Sequence, residues 1–419
     1  MLVKTVSHQL DLERVAMGLR ASGHAKTLIM LYVVTLVMRA AFYATIASVQ
    51  NSSYLGGAVS TWDVAVIMMI YPLSELASVS FFGSYSDKIG RRPVLITSLL
   101  LTSCATLLFA TATSPVFTYG YAVIFGLGAA SQVATSLSMI ADCSSPFNRA
   151  RLMGYYDLST LGGLGGGYGL AMIMLRFGVQ AYNVLQLATI ASLISVVVAI
   201  GIKETRRVQS RDVSVMKLLR KVASDRRIQL LMPVYIPIIS LYGLVIANAE
   251  NIVEEHFSLT AYDFMILFGM LAAALVVGII TMGHLSDYLR KRRPFIVVGL
   301  ISFGVLAFIL VAYSGDIDAL WSIWPILPLL GFTAGAFPPA AMAYLTDVSN
   351  EEARGSTMGV YSIFFGTGMI IGPSVGAFAY STYGIEGLGV VVAVLIAIAS
   401  IGTYFMHELV LGEEEREQD

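Results

Sequence analysis

Gly83-Ser-Tyr-Ser-Asp87-Lys-Ile-Gly90-Arg91-Arg92-Pro93 separates two apolar runs, and at an offset of 200 a second stretch answers it: Gly283-His-Leu-Ser-Asp287-Tyr-Leu-Arg-Lys291-Arg292-Arg293-Pro294. A further set recurs at an offset of 205. Asp142, Arg149 and Gly154 are matched by Asp347, Arg354 and Gly359, and Gly126, Gly163 and Gly167 by Gly331, Gly368 and Gly372. Long-range self-similarity at a fixed spacing means that one structural unit occurs twice.

What flanks these stretches is apolar. The 419 residues are 57% hydrophobic and 13% charged, with a net charge of -1 and a mean hydropathy of +0.76. A soluble protein has about a quarter of its residues charged, so a large water-soluble enzyme is excluded. Apolar runs near 27–49, 62–83, 93–112, 116–141, 152–175 and 181–202 form one set of six, and runs near 229–251, 261–283, 295–313, 320–345, 356–380 and 386–407 form a second. Each is long enough to cross a hydrocarbon core of roughly 30 Å as a helix. They are continuously apolar, whereas barrel strands alternate over about ten residues. The expectation is an all-α integral membrane protein of twelve transmembrane helices in two six-helix repeats, with an N-terminal half over 1–202, a connector over 203–228 and a C-terminal half with an acidic tail over 229–419.

Charge sets the orientation. Nine basic residues crowd the connector, and 24 of the 26 Lys and Arg residues lie in the tails, the connector or the loops on its side; Arg39 and Arg176 are the exceptions. Positive residues stay in the cytoplasm, which predicts cytoplasmic N- and C-termini in a multi-pass protein of the cell membrane. The first 26 residues hold four basic groups and no early apolar core, so no cleaved signal peptide is expected. Two cysteines and five scattered histidines give neither a disulfide framework nor metal spacing. No cofactor, metal or nucleic-acid partner is expected, and the chain is expected to function as a monomer in the lipid bilayer.

The loop from Gly83 to Arg92 resembles the G-x-x-x-D-x-x-G-R-R/K signature of the major facilitator superfamily, and the loop from Gly283 resembles its degenerate second copy. The resemblance covers nearly the whole chain. It implies a secondary active transporter that moves a small solute by alternating access between its halves, with the binding site near the midplane. It also implies a cytoplasmic gate: Gly83, Asp87, Gly90, Arg91, Arg92, Asp142 and Arg149, mirrored by Gly283, Asp287, Arg292, Asp347 and Arg354, would help hold the outward-facing state. The bland alternative is that these charges cap helices and fix topology.

Two departures bear on the subfamily. Drug-proton antiporters of the superfamily carry a span-5 pattern G-x8-G-x3-G-P-x2-G-G; Gly154, Gly163 and Gly167 match it, but Tyr168 stands for the proline and Ala171 and Met172 for the last glycines. Their span-4 arginine position holds Ala122. The paired-arginine clamp of phosphate-ester antiporters is also incomplete, since Arg39 in span 1 has no basic counterpart in span 7.

Within the spans few groups ionise, and an ionisable group inside a bilayer is a functional candidate by default. Arg39 lies about 18 Å from the inner end of its span, Glu75 about 12 Å and Asp157 about 8 Å. Arg39 either binds an anionic solute or pairs with Glu75, because their depths differ by less than a long side chain. Glu75 and Asp157 are candidate proton carriers, with helix packing or pairing to Arg149 or Arg151 as the alternatives; Asp157 faces Ser362 in the repeat, so symmetry does not require it. In the family, spans 4 and 7 line the cavity, which makes Gln132, Tyr242 and Asn248 candidate neutral solute contacts. Proton coupling is expected. Arg39 favours symport of an organic anion, the partial glycine pattern favours proton-linked efflux of drugs or metabolites, and a non-transporting solute receptor is the reading outside transport.

Overall fold

The computed structural model describes residues 2–144, 149–205, 226–289, 291–313, 316–348 and 354–406. Among them there is no strand. The long helices are α1 (Leu2–Gln50), α2 (Thr61–Ile89), α3 (Arg91–Ala110), α4 (Pro115–Cys143), α5 (Arg149–Arg176), α6 (Ala181–Ile200), α7 (Met232–Ala247), α8 (Ala261–Leu289), α9 (Arg293–Ala312), α10 (Ile326–Ala334), α11 (Phe337–Val348) and α12 (Arg354–Phe405). Ten helical stretches among the described residues are long and apolar enough to cross a membrane. The last of these, Ile363–Phe405, has 43 residues, about 64 Å of helix. It is divided at Gly384, whose φ of 61° no helix contains. Helix α7 is apolar but only 16 residues long.

The sequence pattern and the structure differ in the second copy. A continuous span is predicted over 229–251, but α7 stops at Asn248 and is followed by a short α-helical segment, Ala249–Asn251, and a π-helical one, Ile252–His256. The predicted 320–345 is kept as one candidate crossing, Ile326–Leu345, made of α10 and α11 with a break between them at Gly335, and it is preceded by the short helix Ile317–Ser322. Hydropathy is blind to the break at Gly335, because the residues on both sides of it remain apolar, whereas the end of α7 coincides with the polar stretch from Asn248 to His256.

Local chemistry sets the ends of the helices. Ser60 and Asp63 form a reciprocal capping box at the start of α2, and Thr260 and Asp263 make the same bonds at the start of α8, again 200 residues apart; each satisfies amides that the first helical turn leaves over. The turn between α2 and α3 rests on Gly90, at φ 110°. Just after it, one carboxylate at the beginning of the connector, that of Glu204, accepts from the Arg91 and Arg92 amides at 3.0 Å each and so places a negative charge at the N-terminus of α3. A Cβ at Gly90 would lie 2.9 Å from Glu204 Oε2. Gly90→Ala is therefore expected to cost about 1–3 kcal/mol from backbone strain plus a displaced cap. The readout is the apparent melting temperature in detergent, and an unchanged value would remove this account of the turn.

The repeat is visible as contacts. A Cβ on Gly163 of α5 would sit 2.4 Å from the Leu36 carbonyl oxygen and 2.8 Å from Arg39 Cβ; on Gly368 of α12 it would sit 3.0 Å from the Ile236 oxygen and 2.6 Å from Ile239 Cβ. A Cβ on Gly167 would sit 2.3 Å from the Ala40 oxygen and one on Gly372 2.0 Å from the Ser240 oxygen. So α5 lies on α1 as α12 lies on α7, backbone against backbone, with partner residues 200 apart. Small residues permit this approach, which is the main route to tight helix association in lipid.

Candidate functional site

Close packing of α1 against α5 and of α2 against α4 carries two charged side chains to the same depth. Arg39 Nη2 donates to Glu75 Oε1 at 3.0 Å and Nη1 to Oε2 at 3.2 Å, a bidentate pair whose planar fork matches the carboxylate. Arg39 is 4% exposed. Its guanidinium also lies over the Tyr71 ring, 5.7 Å from the centroid, within reach of a cation–π attraction. Beneath it Tyr71 stacks on Phe42 at 4.0 Å, and Phe125 closes the aromatic cluster. Of the alternatives for Arg39, the geometry realises the ion pair.

A cavity of about 40 Å³ opens beside the pair, lined by Arg39, Tyr71, Pro72, Glu75, Leu76, Val133, Tyr156 and Thr160 and closed by Phe365 and Gly366 of α12. That volume holds a few waters, well below the several hundred Å³ of a site enclosing an organic ligand. Residues of both copies of the repeat stand in its wall. Pro72 withholds an amide from the helical ladder beside it. Among the described residues, Arg39 Nε and the hydroxyls of Tyr43 and Tyr71 are buried without a hydrogen-bond partner. The pair has no counterpart in the second copy: the positions 200 residues on hold Ile239 and Leu275.

The other sequence candidates lie apart from the pair. Gln132 is fully buried and donates to Thr35 Oγ1 at 2.7 Å and Ser136 Oγ at 2.9 Å, which ties α4 to α1 one helical turn below Arg39. Tyr242 packs on Phe303 and approaches Gly165. Asn248 bonds the Leu244 carbonyl at 2.9 Å and caps the broken end of α7. The side chains of Asp157, Arg149, Asp347 and Arg354 lie outside the described residues. Tyr71, Tyr156 and Phe365 were not singled out in the sequence, because an aromatic in an apolar helix carries no signal that separates a cavity wall from core.

At the loop after α2, Arg91 bonds Asp87 at 2.5 Å, Ser86 Oγ at 2.7 Å and Asp142 at 3.4 Å. In the second copy Arg292 bonds Asp287 at 2.5 Å and Ser286 Oγ at 3.0 Å. Arg92 instead donates to the Ile200 carbonyl at 2.5 Å. The signature residues thus form one small network per copy, each joining the end of one helix to the start of the next.

The Major Facilitator Superfamily model matches residues 28–247 and 231–418. The chain is 28% identical over 340 residues to the class E tetracycline resistance protein of Escherichia coli, covering 78% of this chain and 81% of that one. It is 23% identical over 329 residues to Multidrug resistance protein 2 of Bacillus subtilis, covering 75% and 79%. Among solved structures it resembles the nucleoside transporter NupG, with a TM-score of 0.69 at 11% identity over 91% of this chain and 98% of that one. It also resembles the human organic anion transporter MFSD10, at 0.63 and 16% over 92% and 99%. At those identities the likeness to the two structures is one of fold.

Proposed function

The chain belongs to the Major Facilitator Superfamily, and from that membership we propose that it is a proton-coupled secondary transporter that extrudes small amphipathic organic compounds by alternating access. It is a multi-pass membrane transporter, which leaves no place for the receptor reading. We further propose twelve crossings, with α7 and the two parts of α12 on either side of Gly384 completing the count, in halves of 1–202 and 229–419 joined by the connector at 203–228. Both termini are then cytoplasmic, in the cell membrane.

The observation that carries coupling is the buried Arg39–Glu75 pair at the cavity wall, present in one copy of the repeat and replaced by aliphatic residues in the other. Two opposite charges in mutual contact are tolerable in a low-dielectric interior; one alone costs several kcal/mol. A proton on Glu75 therefore strands the Arg39 cation and favours any conformation that gives it water or another partner. That differential is what a proton needs in order to bias a two-state equilibrium. Asp157 in α5 is a second candidate carrier.

Of the two solute readings, efflux has the better support. The guanidinium of Arg39 already holds a carboxylate, so the charge that favoured an organic anion is spoken for, and the remaining wall is aromatic and aliphatic apart from Thr160, whose hydroxyl bonds the Tyr156 carbonyl. The relatives named for tetracycline and multidrug resistance point the same way. The test uses purified protein in liposomes with a luminal pH dye. Tetracycline or a planar amphipathic cation added outside is expected to alkalinise the lumen, as antiport requires. Luminal acidification on adding a carboxylate, with no response to the cation, would replace efflux with anion symport.

A further inference from the structure

Gln50, the last residue of α1, reaches across to α7. Its Nε2 donates to the Ile246 carbonyl at 2.8 Å and the Ala247 carbonyl at 3.1 Å, while its Oε1 accepts from the Tyr168 hydroxyl of α5 at 2.5 Å. Those two carbonyls are at hand because α7 ends at Asn248: the last carbonyls of a helix lack the amide four residues on, the Ile246 oxygen is left with the Asn248 amide, and a side chain from the other copy of the repeat bonds both. At the repeat-related position, 200 residues on, stands Glu250. It lies 3.8 Å from Arg176, the last residue of α5, with both side chains 15% exposed. Around these contacts Asn251 Nδ2 donates to Thr61 Oγ1 at 3.2 Å, and Phe177 meets Tyr262 edge to face at 5.2 Å.

We infer that Gln50 and Tyr168, seated on the freed carbonyls of α7 and flanked by Arg176–Glu250, are the lock that closes one end of the central cavity. Its core is an amide, a phenol and two backbone carbonyls. A carboxamide suits the role because it donates and accepts at once, so one side chain joins three helices. The lock is also tied to the ion pair. Gln50 lies eleven residues beyond Arg39 on α1, three turns with an angular offset of about 20° and a rise of about 16 Å. Gly163 and Gly167 seat α5 on that same stretch of α1. A tilt of the α1–α5 unit that pulls Gln50 from α7 therefore moves Arg39 as well.

That the locked end is the extracellular one rests on the topology proposed above, and the experiment keeps the two apart. The reporter is Val133→Cys in the cavity wall, in a chain with Cys104→Ser and Cys143→Ser, labelled by a membrane-impermeant maleimide in right-side-out and in inverted vesicles. Gln50→Leu is expected to raise the labelling rate from outside at least about tenfold, which corresponds to roughly 1.4 kcal/mol, the scale of one or two net hydrogen bonds. Tyr168→Phe keeps the ring and removes one of the bonds, and its rate should also rise; it decides the matter alone if Gln50→Leu does not fold. Unchanged labelling from both sides in folded variants overturns the lock. A rise confined to inverted vesicles supports the lock and overturns the topology.

Discussion

Glu75→Gln is expected to abolish proton-driven uphill transport and to cost about 3–5 kcal/mol of stability, because it leaves the Arg39 cation buried opposite a neutral amide. The two effects separate in the double variant Arg39→Gln, Glu75→Gln. With both charges gone, much of the lost stability should return, since a buried pair replaced as a unit leaves no stranded charge. Coupling should not return, because the double variant has no carboxyl beside the cavity to carry the proton. Melting temperatures in detergent and accumulation against a gradient in liposomes give the two readings. A folded double variant that still accumulates solute at the wild-type rate would show that Glu75 is only a structural partner of Arg39.

Gly167→Val is expected to be as damaging by another route. The first added carbon would lie 2.3 Å from the Ala40 oxygen and 2.4 Å from its Cα, both backbone atoms with no rotamer into which to retreat. Overpacking of this kind costs about 1–3 kcal/mol or more, and here it forces apart the two helices that hold Arg39. Little folded protein should survive extraction. Gly166, with nothing within 4 Å of a built Cβ, is the control one residue away, and Gly166→Ala should be close to neutral. Equal yields from Gly167→Val and Gly166→Ala would mean that the close approach of α1 and α5 does not hold them together.

Much of this arrangement is legible in the chain. The offsets of 200 and 205 reappear as equivalent glycine contacts, and the estimated depths of Arg39 and Glu75 anticipate a pair that the structure joins by two hydrogen bonds. Depth along a helix is a one-dimensional quantity, which spacing supplies. What spacing does not supply is azimuth and the point at which a helix stops. Gln132 and Asn248 are singled out because spans 4 and 7 line the cavity in the family, and the sequence does not show that their side chains bond Thr35 and the Leu244 carbonyl. The polar residues from Asn248 to His256 mark the end of α7 but not which carbonyls it leaves within reach, and so Gln50 is unremarkable until the carbonyls it bonds are seen. Glu204 reads as the start of a polar connector, and its use as a cap depends on a fold that brings it 113 residues back to Arg91.

The main-chain seating of α5 on α1 and of α12 on α7 has a bearing on how such a scaffold changes its cargo over generations. Where backbone touches backbone, the joint demands a missing side chain at a few points, such as Gly163, Gly167, Gly368 and Gly372, and little of the other residues on those helices. Residues that face the cavity are then free to vary in size and polarity without disturbing the joint. A saturation library selected for growth in a toxic compound should be intolerant at the four glycines and permissive at Val133, Thr160 and Phe365, with new resistances arising from the second group. An inherited architecture of this kind separates what must stay for folding from what may drift toward new chemistry.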